Sequence, residues 1–250
     1  MIPLTTVSEK NGYIPLIDAL GKRGHDVTVA TIKKANYESK NIKEFVPLPD
    51  LNDFLGSFSK PLEGRDEGLK LWLTFSPELF ETPCCEKIYN DAEFQRAING
   101  TYDLVVVNSL FQYCFTPILQ KLAAPFVILS TWAPRSGTVA ATGGVLPASF
   151  VPCPLIPMTA NMNFWQRMFN FAFDTYWRLY EIYGYSKQGE RVAAKHLGEG
   201  LPGAVEIERN ASLVLTNSHF VLNWPIPALP SLVEVGGMHC RPSKPLPKVN

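Results

Sequence analysis

The chain has 250 residues, of which 46% are hydrophobic and 12% aromatic, so it can bury a substantial core in one large domain or two small ones. Lys plus Arg and Asp plus Glu both number 23, and no basic cluster could follow a phosphate backbone, so we expect no nucleic-acid partner. The five cysteines have neither a C-x-x-C pair nor zinc-ligand spacing, and we expect no metal site.

The first predicted elements are a helix and a strand. Apolar residues recur with helical spacing at Tyr13, Leu16, Ile17 and Leu20. Gly24 ends this helix, and because proline is tolerated only in a first turn, Pro15 predicts a start near Gly12. Residues 8–11 would then lie in the preceding loop. The next run, DVTVAT, is short and β-branched, which favours a strand buried in a parallel sheet.

Further strands and helices alternate along the rest of the chain. The segment 80–98, FETPCCEKIYNDAEFQRAI, and the segment 111–122 are predicted to be helical. Strands are predicted in YDLVVVNS, APFVILST, SLVLTNS and VEVGG. This alternation indicates an α/β fold, a Rossmann-like doubly wound parallel sheet. The final residues, RPSKPLPKVN, have linker composition, so we expect one domain over 1–240 and the start of a linker at 241–250.

Residues 163–185 form a long aromatic-rich helix in this prediction, NFWQRMFNFAFDTYWRLYEIYGY. Its charged residues, Arg167, Asp174, Arg178 and Glu181, exclude a membrane span. Two interpretations remain for its apolar side chains. It is either a core helix that covers the sheet or an interfacial helix whose apolar face meets a membrane surface.

Two features concern the membrane and the secretory lumen. The chain opens with MIPLTTVSEK, which lacks the pattern of a signal peptide, and it has no apolar run of about 18 residues that would span a bilayer. Asn99 and Asn210 each begin a glycosylation sequon, NGT and NAS. A luminal chain should carry glycans at both positions, and a cytosolic chain at neither.

Ligands of doubly wound sheets bind at the carboxyl ends of the strands, where the loops after the first and fourth strands approach each other. The segments there are TTVSEKNG and VVVNSLF. Together with residues 8–31, 102–131, 163–173 and 213–247, they resemble the amino-terminal half of an animal, invertebrate UDP-glycosyltransferase of the glucuronosyltransferase family. The resemblance covers nearly the whole chain and lies in the ordered succession of these segments.

The resemblance implies a fold and an activity. In the family, two Rossmann-like domains form a GT-B glycosyltransferase that moves a glucuronosyl or glucosyl group from a UDP-sugar to a small lipophilic acceptor. The UDP-sugar is a co-substrate, and no separate cofactor is implied. This chain lacks the family's donor-binding signature, so we expect an acceptor half without a donor domain, inactive by itself. The family also implies the luminal side of the endoplasmic reticulum membrane, with membrane contact through residues 163–185.

The family's two catalytic positions are both substituted. Counting back from RGH places the family's histidine base at Glu9, directly after Ser8, and its aspartate partner falls at Asn108. Glutamate is a weaker base than histidine by about two pKa units. Three interpretations are open: Glu9 works as a base, Glu9 and Asn108 are bystanders in a degenerate site, or the alignment is shifted.

Other candidate residues complete the predicted site. Phe111, Trp132 and Met158 would line an apolar acceptor pocket beside Ser8. Gly236 and Gly237, after the last strand, would either approach the donor or merely turn the backbone. The rival functional interpretation is a non-catalytic acceptor-binding or regulatory pseudoenzyme, which binds lipophilic molecules or forms a homo- or hetero-dimer with active relatives.

Overall fold

The computed structural model describes residues 1–2, 7–48, 84–109, 113–154, 156–221, 223–227 and 229–240. The helices are α1 (Val7–Lys22), α2 (Ala92–Ile98), α3 (Thr116–Leu122), α4 (Ser136–Ala140), α5 (Phe164–Tyr180), α6 (Ser186–Leu197) and α7 (Ala204–Glu208). A helical stretch at 84–89 precedes α2, and a π-helical turn, Glu181–Tyr185, joins α5 to α6. The strands are β1 (Val27–Ala30), β2 (Ile42–Phe45), β3 (Val105–Asn108), β4 (Phe126–Ser130), β5 (Leu213–Thr216) and β6 (Leu232–Glu234).

All described strand pairs are parallel. β1 pairs with β2, and β3, β4, β5 and β6 pair in that order. Residues 1–2 lie between these two groups: the Ala30 N–H donates to the Met1 carbonyl, and the Ile2 N–H donates to the Val106 carbonyl at 2.9 Å. The strand order therefore reverses at residues 1–2. This reversal is the topological switch point where a doubly wound sheet binds ligands.

The prediction of a Rossmann-like α/β fold is confirmed. β1, β3, β4, β5 and β6 each lie within or one residue from a predicted run, because β-branched runs buried by helices on both faces leave a clear signal. β2 was missed. Its sequence, IKEF, carries Lys43 and Glu44, so it has no continuous apolar run.

The predicted start of α1 is wrong. The helix begins at Val7, so residues 8–11 are helical, and Pro15 lies inside it. Proline has no N–H to donate to the carbonyl four residues earlier, which normally destabilises a helix at this point. Tertiary contacts outweigh that loss here, since Lys10 Nζ lies 2.5 Å from Glu44 Oε1 and the Tyr13 hydroxyl donates to the Leu129 carbonyl at 2.9 Å.

Two other helix predictions need correction. The helix predicted at 111–122 begins only at Thr116, where a proline at the second position suits a first turn. Within the segment 80–98, residues 84–89 and α2 are separate helical stretches, because Asp91 accepts a hydrogen bond from the Phe94 N–H at 2.8 Å and starts α2 anew. Residues 80–83 and 111–112 lie outside the described residues. A disulfide that the sequence did not reveal, Cys85–Cys114, joins the stretch 84–89 to the turn before α3.

α5 confirms the long helix but not its core interpretation. Asn170 is its buried residue, and its side-chain amide donates to the carbonyls of Ala148 and Val151 at 2.8 and 2.9 Å. Asp174 accepts a hydrogen bond from the Ser136 hydroxyl. Its large exposed hydrophobic side chains are Phe164, Trp165, Met168, Phe169, Phe171, Tyr176 and Leu179. Gln166, Arg167 and Thr175 are exposed as well. Asn170 and Asp174 thus face the protein, while a row of large apolar side chains stays exposed. Among the described helices, none is long and apolar enough to cross a membrane.

Candidate functional site

Glu9 lies at the topological switch point. It is in the first turn of α1, and only 5% of its surface is exposed. The first turn of a helix carries partial positive charge on its unbonded N–H groups, which favours a carboxylate there. The residue that sequence counting placed at the family's base position is therefore a buried side chain at the carboxyl edge of the sheet.

The Glu9 carboxylate accepts three described hydrogen bonds from the ends of two strands. Its Oε2 accepts from Asn108 Nδ2 at 2.7 Å. Its Oε1 accepts from the Trp132 indole Nε1 at 2.8 Å and from the Thr131 hydroxyl at 3.2 Å. Asn108 ends β3, and Thr131 and Trp132 follow β4. One carboxylate therefore joins α1 to both strands. The segments that contain Glu9 and Asn108 lie close together, as the sequence predicted for two loops at the carboxyl ends of the strands.

This arrangement holds the Glu9 carboxylate in a fixed position. All three described donors are neutral groups. Each carboxylate oxygen has about two lone-pair positions, and Oε1 already accepts two hydrogen bonds. A general base must reach the acceptor hydroxyl with an accessible lone pair. The 5% exposure of Glu9 restricts that approach.

Thr131 is the contributor that sequence analysis missed. It follows β4 directly, so the rule that selected Asn108 at the end of β3 would also have selected it. Gly12, one turn after Glu9 in α1, passes very close to it. A Cβ on Gly12 would lie 2.7 Å from Thr131 Cγ2, so only glycine allows α1 to approach the end of β4 this closely.

Tyr13 completes the packing of α1 against β4. The side chain is fully buried, and its hydroxyl donates to the Leu129 carbonyl. Burial, and then the charge of Glu9, raise the pKa of Tyr13 well above its usual range. The phenol is therefore a fixed hydrogen-bond donor rather than a proton carrier.

The predicted acceptor residues differ in where the structure places them. Trp132 lies at the site, with its indole N–H on Glu9 and 45% of its surface exposed. Ser8 is exposed beside Glu9 in α1. Met158 is half-buried in the segment before α5, and no hydrogen bond of the described residues links it to Glu9. Phe111 lies outside the described residues. Acceptor binding by these four residues stays a prediction.

Gly236 and Gly237 have a backbone reason for being glycine. A Cβ on Gly236 would lie 2.5 Å from the Ser218 carbonyl oxygen, which accepts the Gly236 N–H at 3.0 Å. Gly237 has a φ of +80°, in the left-handed region that favours glycine. Both residues therefore build the turn after β6, and their proximity to a donor sugar stays a prediction.

The described residues contain no group of three or more His, Cys, Asp and Glu side chains that could hold a metal ion. His196 instead stacks on Tyr89, with ring centroids 4.8 Å apart.

Comparisons with known proteins agree with the fold. The family model for UDP-glucoronosyl and UDP-glucosyl transferase matches residues 16–250. The chain is 26% identical to UDP-glucosyltransferase 2 of Dactylopius coccus, covering 99% of this chain and 48% of that protein. It is 28% identical to UDP-glucuronosyltransferase 2A3 of Cavia porcellus, covering 93% and 47%. The chain thus spans about half the length of the curated relatives that it matches.

Proposed function

Because the chain belongs to the UDP-glucuronosyl and UDP-glucosyl transferase family, we propose that it is the acceptor-binding half of a UDP-glycosyltransferase. Its substrates would be a small lipophilic acceptor and a UDP-sugar, the latter bound mainly by a separate donor domain. The observation that carries the proposal is the 2.7 Å contact between Glu9 and Asn108. The two positions that the resemblance makes catalytic touch each other, at the edge where such a sheet binds its ligand.

In this proposal Glu9 organises the acceptor site and does not serve as the base. Its hydrogen bonds hold Trp132 with the indole N–H inward and much of the ring exposed, which leaves an aromatic wall for an apolar acceptor. Ser8 is exposed beside Glu9 in the same turn of α1, and in this proposal its hydroxyl would contact the acceptor. Residual transfer would favour acidic acceptors, which need little help in losing their proton.

A second candidate is the non-catalytic acceptor-binding pseudoenzyme. One observation favours it: Oε1 of Glu9 accepts two hydrogen bonds from neutral donors, and Asn108 has no charge with which to stabilise a base that becomes a cation, as a histidine does. Such a chain would bind lipophilic molecules without transferring sugar, alone or paired with an active relative. The two candidates share the acceptor site and differ in catalytic competence.

Restoring the family's catalytic pair separates these candidates. The chain would be joined in frame to the carboxyl-terminal half of UDP-glucuronosyltransferase 2A3 of Cavia porcellus. Because positions 9 and 108 are in hydrogen-bond contact, the double substitution Glu9→His with Asn108→Asp should recreate a base and its partner. We expect glucuronosyl transfer to a phenol to rise about 10²- to 10⁴-fold over the unsubstituted fusion. The measurement is kcat/KM with a panel of phenols.

The matched control is Glu9→Gln, which keeps the shape and removes the carboxylate. A fall of 10² or more in Glu9→Gln, with no gain in the double variant, would show that Glu9 itself is the base. No transfer in any variant, together with retained acceptor binding, would favour the pseudoenzyme.

We also propose that the outward face of α5 contacts a membrane surface. The face is continuous over the helix and consists of the exposed side chains of Phe164, Trp165, Met168, Phe169, Phe171, Tyr176 and Leu179. Asn170 and Asp174, on the opposite side of α5, form hydrogen bonds to the rest of the protein. The helix therefore cannot rotate to bury the apolar face without breaking those hydrogen bonds. Interfacial helices bind membranes through such a face.

Sedimentation with phosphatidylcholine liposomes tests this contact. The chain should co-sediment, and the double substitution Trp165→Glu with Met168→Glu should weaken the partition coefficient at least about tenfold, because two apolar side chains no longer enter the bilayer surface. Val145→Glu is the matched control, since Val145 is 73% exposed but lies outside α5. Equal partitioning of the double variant and the unsubstituted chain would refute the contact.

A luminal location in the endoplasmic reticulum is the remaining part of the proposal. The Cys85–Cys114 disulfide supports it, because disulfides persist in oxidising compartments. Asn99 and Asn210 are both exposed, and they precede β3 and β5. They therefore lie at the amino edge of the sheet, where glycans would leave the carboxyl-edge site open.

The intact mass of the native protein tests the location. We expect glycans at Asn99 and Asn210, so that Asn99→Gln and Asn210→Gln each remove one glycan, and a non-reducing digest should contain the Cys85–Cys114 peptide. The luminal location would be contradicted if the native protein had no glycan at Asn99 or Asn210 and had Cys85 and Cys114 reduced.

A further inference from the structure

Arg135 connects the two loops that supply the donors to Glu9. It lies in the segment after β4 that also carries Thr131 and Trp132. Its Nη2 donates to the Ser109 carbonyl at 2.9 Å, and Ser109 directly follows Asn108 at the end of β3. The Arg135 side chain therefore bridges the ends of β3 and β4, next to the residues that donate to Glu9.

A buried carboxylate holds Arg135 in turn. Glu181 is 3% exposed, and its Oε1 lies 3.8 Å from Arg135 Nη1 and accepts from the Trp177 indole at 3.1 Å. Glu181 begins the π-helical turn between α5 and α6, and such turns are frequent at functional sites. Burial raises the pKa of Glu181, whereas the charges of Arg135 and Arg178 lower it.

We propose that Arg135, held by Glu181, is a positioning residue of the acceptor site: it fixes the Ser109 carbonyl so that Asn108 and Trp132 both reach Glu9. The inference rests on the proposed function only in naming the site an acceptor site. A guanidinium suits this role because its planar fork can address the carbonyl and the carboxylate at once. A lysine ammonium at the same place could reach either the Ser109 carbonyl or the Glu181 carboxylate, but not both.

Arg178 provides a matched control within the same cluster. Its Nη1 lies 3.8 Å from the other oxygen of Glu181, the same distance as in the Arg135 pair, but the pair lies within one helical run. The two side chains are also similarly buried, at 21% and 16% exposure. Replacing either arginine by lysine changes the geometry of an equivalent ion pair with Glu181 and keeps its positive charge. Only Arg135 has the described hydrogen bond to Ser109.

The experiment observes the Trp132 indole directly in the 250-residue chain. The chain has five tryptophans, and ¹⁵N labelling of their indoles resolves one N–H signal each, with that of Trp132 assigned from Trp132→Phe. In Arg135→Lys we expect the Trp132 signal to shift and its exchange with water to quicken about tenfold, as for a weakened hydrogen bond. The matched variant Arg178→Lys should leave both unchanged, and Glu181→Gln should move the signal in the same direction as Arg135→Lys.

An unchanged Trp132 signal in folded Arg135→Lys would overturn the proposal. So would equal effects of Arg135→Lys and Arg178→Lys, which would reduce Arg135 to one half of an ordinary ion pair. If Arg135→Lys does not fold, Glu181→Gln decides by the same two criteria. The readout needs no sugar transfer, so a failure of the transferase proposal would leave this result interpretable, and a failure here would leave the fusion activity to be judged by itself.

Discussion

The buried carboxylate of Glu9 is the interaction on which the organisation of this site depends. It joins the first turn of α1 to the ends of β3 and β4 through Asn108, Thr131 and Trp132. A buried carboxylate is costly unless hydrogen bonds compensate it, and each buried donor left without its acceptor costs about 1–3 kcal/mol. Glutamate at position 9 provides two oxygens that accept from several directions at once, which suits the three neutral donors around it.

The same loops connect the site to the other unusual element, α5. Ser136 binds Asp174 of α5, and Arg135, one residue earlier, approaches Glu181 beyond its end. The polar side of α5 thus holds the loop after β4. Its aromatic side faces outward as a consequence, because the side chains on the inward side already form these hydrogen bonds. The Glu9 site and the outward face of α5 are therefore connected through the loop after β4.

The sequence predicted the parts of this structure that local pattern controls. β-branched runs located most of the strands, and the switch-point rule predicted that the segments containing Glu9 and Asn108 lie close together. Prediction from the sequence failed where contacts between residues distant in the chain determine the structure. Pro15 argued for a late start of α1, but contacts of Glu9 and Lys10 extend the helix to Val7. The sequence left open whether α5 is a core helix or an interfacial helix, because the side that packs inward depends on partners such as Ser136 that are distant in sequence.

A double-mutant cycle between Glu9 and Trp132 tests the central claim most directly. Urea unfolding of the chain, of Glu9→Ala, of Trp132→Phe and of the double variant would give the coupling free energy, with Glu9 and Trp177 as a control pair. A carboxylate that accepts the Trp132 indole predicts a coupling of about 1–3 kcal/mol, against about zero for the control. Additivity of Glu9→Ala and Trp132→Phe within about 0.5 kcal/mol would contradict the account.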